Sequence, residues 1–311
     1  DVSTIIAIAF RCSQKSGSAC KVLHWHCIRR WSRIPVRSFK QQAIQFMTPE
    51  GDGSGKTWTA IVLAGQRPGP DRLATHFGTE WKALVPIGGE PMLTRVVRTL
   101  STTPGIGRTI VLAQDLAAMR GAAEDAGSAT LIASTAGISE SVLRVAGTSD
   151  APWPVLVTTA DHPLLTPSIV ADFLEQAGNC DVAVGMVERQ VMRAAYPDNE
   201  RTWLKFADGH WSGANLFALD SDAARGALKL WSEAEQDRKK AWKLFLHFGP
   251  WLAFRALTRT IGLGDALRIA GKRLGLVARL VPLKDAEAAI DVDKPSDHSL
   301  AEDILARRKP R

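Results

Sequence analysis

The chain has 311 residues, of which 45% are hydrophobic and 23% charged. These values lie near globular averages and exclude a collagenous, coiled-coil or wholly disordered protein, and no apolar run approaches the roughly 20 residues of a membrane span. The formal charge of +7 is concentrated at one end: residues 1–46 hold eight Lys and Arg against the single acid Asp1, while the following 265 residues carry 31 basic and 31 acidic side chains. The body is therefore neutral, its composition predicts no polyanion-binding face, and nucleic acid is not an expected partner.

Residues 1–57 read as a leader outside the domain. Cys12, Cys20 and Cys27 lie in its first 46 residues, and Cys180 alone in the remainder. A lone body cysteine argues against a disulfide framework and for a reducing, cytoplasmic setting. The leader is Arg-rich and nearly free of acids, as organelle transit peptides are. The preferred reading is an upstream extension with the true start near Met47. Cys12, Cys20, His24, His26 and Cys27 lack the spacing of zinc modules. Gly53-Ser54-Gly55-Lys56-Thr57 has the tail of a phosphate-binding P-loop, but Glu50 stands where its first Gly is needed and no strand precedes it.

From Trp58 the pattern becomes regular. Residues 59–64, TAIVLA, form a continuous apolar run of strand length, the mark of a parallel strand buried on both faces. After a polar loop, the pattern predicts a helix over 91–100, a strand over 108–114, a helix over 116–126 closed by Gly127, and a short strand over 130–134. A helix over 139–146, a strand over 155–159 ending at Asp161, and a helix over 166–177 follow. Such alternation specifies an α/β fold with a doubly wound, mainly parallel, Rossmann-like sheet, whose ligands bind at the carboxyl ends of the strands. One domain is expected over 58–311, with an acceptor region at 186–225 and a helical insertion at 226–280.

Three segments carry chemistry. In the first, Leu63-Ala64-Gly65-Gln66-Arg67-Pro68-Gly69 followed by Lys82, the glycines let a backbone rich in N–H groups approach a ligand and the two cations suit a triphosphate. In the second, Asp161-His162-Pro163-Leu164-Leu165 places an acid at a strand tip, where a metal ligand or a turn residue is found. For His162 a structural role in an outward-facing turn is expected. The third, Asp291-Val292-Asp293-Lys294-Pro295-Ser296-Asp297, offers alternating carboxylates to complete a divalent-metal site with Asp161, although Asp297 by itself reads equally well as the cap of the last helix.

In this order and spacing the three segments resemble the MobA-like nucleotidyltransferases of glycosyltransferase-A-type fold, whose signature is an L-A-G loop with Arg and a downstream Lys, a D-x-P-L-L metal motif and a late D-x-D-x-P-x-D. The resemblance covers about residues 58–178 and 286–305. It implies that Leu63, Ala64, Gly65, Arg67, Gly69 and Lys82 bind the nucleoside triphosphate and that Asp161 with Asp291 or Asp293 binds Mg2+. Gly137, Ser139 and Ser141 match the Gly/Ser segment beside the base. Arg67, Lys82 and Asp161 become the catalytic candidates. The first loop departs from the family pattern in the long stretch 73–81 before Lys82.

The implied activity is Mg-dependent transfer of a nucleoside monophosphate to a phosphorylated small molecule, a sugar or polyol phosphate, with release of pyrophosphate. A molybdopterin-type acceptor is the alternative within the class. A nucleotide-sugar glycosyltransferase would have little use for the triphosphate loop, and a non-catalytic nucleotide-binding module little for Arg67, Lys82, Asp161 and Asp293 together. A phosphate acceptor is already anionic at pH 7, so no activated nucleophile is required. Ser212, Gly213 and Asn215 are acceptor-side candidates, with Arg201 and Lys205 to hold its phosphate. The insertion places Trp231, Trp242, Phe245, Phe248, Trp251 and Phe254 among Lys239, Lys240, Lys243 and Arg255. Core packing or a homodimer contact is the expected use, a membrane surface or lipid-linked acceptor the rival one.

Overall fold

A computed structural model describes residues 56–134, 137–236 and 248–308. The leader up to residue 55 and Trp242, Phe245, Lys239, Lys240 and Lys243 of the insertion lie outside the described residues. The apolar run becomes β1 (Trp58–Leu63), buried at all six positions, and leads through a loop to α1 (Arg72–His76), the hairpin β2 (Pro86–Ile87) and β3 (Glu90–Pro91), and α2 (Met92–Ser101). Then come β4 (Ile106–Ala113), α3 (Leu116–Glu124), β5 (Ala129–Ala133), α4 (Ile138–Val145), β6 (Val155–Thr159) and α5 (Pro167–Ala177). The second half holds β7 (Val182–Glu188), α6 (Arg189–Ala195), β8 (Leu204–Phe206), β9 (Gly209–Leu219), α7 (Arg225–Gln236), α8 (Pro250–Leu257), α9 (Leu263–Arg273), β10 (Ala278–Leu283) and α10 (Pro295–Arg308).

The sheet runs β10-β7-β9-β6-β1-β4-β5, with β8 paired to β9. β1 is parallel to both β4 and β6, β5 continues parallel to β4, and β10 is parallel to β7. Only β9 with its hairpin partner β8 breaks the pattern, lying antiparallel to β6 and β7. Alternate residues of β1 serve two cores. Trp58, Ala60 and Val62 pack under α2, α3, α5 and α10, while Ile61 and Leu63 pack under α4 and α7. This two-sided burial is why the strand reads as unbroken apolar sequence.

Helix starts follow local chemistry. Thr166 accepts a hydrogen bond from the Ile169 N–H with Pro167 in the first turn of α5, and Asp115 caps α3 through the Ala118 N–H. The stretch at 73–81, read from sequence as an irregular loop, folds in part as α1, because Asp71 accepts from the Leu73 and Ala74 N–H groups and Leu73 is fully buried. The insertion is not helical to residue 280: α9 ends at Arg273 and β10 begins at Ala278, where edge pairing with β7 supplies backbone partners that helix propensity does not anticipate. A third apolar cluster joins Leu252 and Ala256 of α8 and Leu263 of α9 to Met186, Leu204, Phe206 and Trp211 of the sheet. Trp231 and Phe248 are core-packed as expected, whereas Trp251 and Phe254 are exposed.

Candidate active site

Asp161 follows the carboxyl end of β6, beside the end of β1. The Val292 N–H donates to the Asp161 carbonyl at 2.9 Å, which moors the late acidic segment to this strand tip. Lys82 reaches in from the turn Lys82–Leu84. Its ammonium donates to Asp161 Oδ2 at 2.5 Å and to Asp293 Oδ1, with the Lys82 and Asp161 side chains only 16% and 15% exposed. Burial pushes the Asp161 carboxyl upward, but the adjacent ammonium overrides it and holds the group down at about 2. Burial likewise works against the charged Lys82, and the two carboxylates more than offset it, raising its pKa. Both groups are ionised at neutral pH.

The second Asp161 oxygen, Oδ1, is shut off from solvent without a hydrogen bond, although the Thr159 hydroxyl lies near enough to favour the ionised form. An unsatisfied buried carboxylate oxygen is costly unless another ligand uses it. The donor set fits a small hard cation: Asp161 and Asp293 supply oxygens only, and no cluster of three or more Asp, Glu, His or Cys suited to a metal occurs among the described residues. Mg2+ is characteristically held by one or two carboxylates plus substrate phosphates rather than by an all-protein cage. Asp291 is engaged differently. Arg201 pairs with its Oδ1 and the Asn215 amide donates to its Oδ2 at 3.5 Å, the Arg201 and Asp291 side chains being 10% and 8% exposed.

The glycine loop leaves β1 at Ala64. Gly65, Arg67 and Gly69 are exposed, Gly69 with φ +99°, and Arg67 makes no ion pair or hydrogen bond among the described residues. Two glutamines hold the loop in shape. The Gln114 side chain accepts from the Gln66 N–H at 3.1 Å and donates to the Gln66 carbonyl at 2.8 Å, while the Gln66 side chain donates to the Glu80 carbonyl and accepts from the Lys82 N–H. A β-carbon on Gly65 would stand 3.0 Å from the Gln114 amide, a contact tight enough that the glutamine bracing the loop would have to shift. Composition gave no hint of the glutamines. The parallel register of Leu63 with Leu112 sets Gln114 level with the loop, a signal available only once the strands are paired.

Gly137 precedes α4, with Ser139 fully buried and the Ser141 hydroxyl donating to the Gly137 carbonyl at 3.0 Å. On the other side of Asp161, β9 bulges opposite Gly185, and Asn215 takes φ +49° there, which turns its side chain toward Asp291. Ser212 is buried and Gly213 lies opposite Met186 on the same strand. Asp161, Asp293 and Asp297 are all within electrostatic reach of the Arg201 guanidinium. Lys205 is exposed on β8 opposite His210, an imidazole that also feels Arg189 and Arg259, and among the described residues Lys205 pairs with neither Asp161 nor Asp293. His162 does not face outward. It is fully buried, and burial drives its pKa down to about 4, so it is neutral at pH 7. A cleft of about 480 Å³ lies beside the Arg201 segment, but Asp198, Glu200 and Asp297 line it with Lys294 as its one cation, a poor match for a triphosphate.

A family model describing the MobA-like NTP transferase domain matches residues 60–249. Among solved structures, a hypothetical transferase from Thermus thermophilus is 27% identical, covers 78% of this chain and 99% of its own, and superposes with a TM-score of 0.66. A CMP:2-keto-3-deoxy-manno-octonic acid synthetase complexed with CTP is 16% identical, covers 81% of this chain and 100% of its own, and has a TM-score of 0.51, a likeness of fold. Comparison with curated proteins finds no match.

Proposed function

The chain belongs to the MobA-like NTP transferase domain family and is a nucleotidyltransferase; from that premise we propose that it transfers a nucleoside monophosphate to a phosphorylated small molecule, a sugar or polyol phosphate, with Mg2+ and release of pyrophosphate. The observation that carries this reading is the Lys82 ammonium set between Asp161 and Asp293 at the carboxyl edge of the sheet, its backbone tied to the glycine loop through Gln66. An acceptor phosphate oxygen attacks the α-phosphorus, the bond to the α,β-bridging oxygen breaks, and the electron pair leaves with pyrophosphate. A phosphate acceptor is largely a dianion at pH 7, so this chain needs no base to activate it. The demand on the site is positioning and neutralisation of charge that builds on the departing oxygens.

Asp161 and Asp293, brought together by Lys82, are the residues that would hold Mg2+. When bound, the cation supplies Lewis-acid polarisation of phosphoryl oxygen and charge neutralisation. Lys82 and the unpaired Arg67 are the cations for the triphosphate, and the N–H groups around Gly65 and Gly69 its backbone donors, with Leu63 and Ala64 as their buried base. Gly137, Ser139 and Ser141 border the nucleoside. Ser212, Gly213 and Asn215 face the acceptor side, where Arg201 and Lys205 are the basic residues. Arg201 already neutralises Asp291, which keeps that carboxylate out of competition with Asp293 for the metal.

A pyrophosphate-release screen tests the proposal: the four ribonucleoside triphosphates against a panel of sugar and polyol phosphates, with Mg2+ or with EDTA. One triphosphate and one phosphorylated acceptor are expected to give turnover that EDTA abolishes. Turnover only with an unphosphorylated acceptor, or turnover indifferent to EDTA, refutes the acceptor or the metal assignment respectively.

A further inference from the structure

The neutrality of the body conceals a local segregation of charge. Residues 248–279 contain Arg255, Arg259, Arg268, Lys272, Arg273 and Arg279 against the single acid Asp265. The four large hydrophobic side chains exposed among the described residues all fall in the same stretch: Trp251 at 68%, Val277 at 57%, Phe254 at 54% and Leu257 at 48%. Helix α8 is two-faced. Leu252 and Ala256 are buried against the sheet, while Trp251 and Phe254, one turn apart, stack in solvent with ring centroids 5.8 Å apart and planes 21° from parallel.

Cations flank this pair. The Arg273 guanidinium lies so close over Gly249, the residue before α8, that a β-carbon there would collide with it, and Gly249 has φ +88°. Arg259 follows the helix in an exposed turn, and Lys272 is exposed beside Arg273. The one acid of the stretch is already paired with Arg268 at 2.9 Å. Single exposed hydrophobic residues are ordinary, but a stacked aromatic pair exposed in a strongly basic segment is not.

We propose that this face, the outer side of α8 with Arg259, Lys272 and Arg273, docks the protein on an anionic lipid bilayer surface. Aromatic rings suit the headgroup boundary, and clustered Arg and Lys are attracted to anionic headgroups. No helix among the described residues is long and apolar enough to cross a membrane. A second copy is the poorer occupant: an isologous contact would bring the same cations face to face. The stacked rings also exceed what phosphate recognition on a nucleic acid requires.

Cosedimentation of the full chain with vesicles tests the proposal. The parent is expected to pellet with vesicles of phosphatidylglycerol and phosphatidylcholine mixed equally, not with pure phosphatidylcholine, and to be released by high salt. Replacing Arg259, Lys272 and Arg273 by Gln is expected to weaken binding on the order of a hundredfold, and the double variant Trp251→Ser, Phe254→Ser about tenfold or more. Every substituted side chain is exposed, and thermal melts establish that each variant is folded. Equal binding to both vesicle types, no binding to either, or unchanged binding of both variants overturns it. So does a parent dimer in sedimentation equilibrium that the double variant dissociates, since that assigns the face to a second copy.

Discussion

Replacing Arg201 by Met removes one half of a buried ion pair and leaves the other in place. Among the described residues Asp291 would keep only the 3.5 Å contact from Asn215 to offset a carboxylate that is 6% exposed as a residue. Breaking such a pair from one side costs about 3–5 kcal/mol, because an uncompensated charge stays buried. At about 2–4 °C per kcal/mol for a domain of this size, the melting temperature should fall by about 6–20 °C. The exposed pair Arg268–Asp265, with side chains 68% and 62% exposed, provides the internal control: Arg268→Met should cost under about 1 kcal/mol. Adding Asp291→Asn to Arg201→Met should restore much of the loss, and with the parent and the single Asp291→Asn variant these proteins form a double-mutant cycle with a coupling energy of about 2–3 kcal/mol. Denaturant titrations at pH 7 read all of these. If Arg201→Met is no more destabilising than Arg268→Met, or the two single losses simply add, then Arg201 does not hold Asp291 and its guanidinium is available to the acceptor.

Asp161→Asn should lower Mg-dependent turnover on the order of a thousandfold, about 4 kcal/mol in the barrier, with the fold retained by circular dichroism; a rate within tenfold of the parent removes Asp161 from the metal site. Lys82→Ala and Arg67→Ala should each raise the triphosphate KM and lower kcat in steady-state pyrophosphate assays. Arg67→Ala should leave the melting temperature unchanged because the side chain is exposed without a partner, and parental kinetics in both variants would make the 65–82 loop an ordinary surface turn. Removing residues 1–46, which carry all of the net charge, should leave melting temperature and turnover as they are; aggregation or loss of activity would assign that segment to the domain.

Much of the scaffold is legible in the sequence because the signals are local. The apolar run 59–64 declares β1 since both of its faces are buried, and Thr166 before Pro167 announces α5 since the cap needs only the next turn of backbone. The acid at 161 and the pair at 291 and 293 were visible as motifs for the same reason. Where those motifs act was not. Lys82 meets Asp161 across 79 positions of sequence and Asp293 across 211, and nothing in the spacing of 291 and 293 distinguishes the carboxylate that joins Lys82 from the one that joins Arg201. That choice is made by the bulge in β9, which turns Asn215 toward Asp291, and by the bond from Val292 to the end of β6. The antiparallel insertion of β9 between β6 and β7, the burial of His162, and the two glutamines under the glycine loop belong to the same class. Periodicity records which side of an element faces the core, within about ten residues of itself. Which distant side chain stands opposite is a property of strand order and register, and those are decided by packing the whole sheet at once.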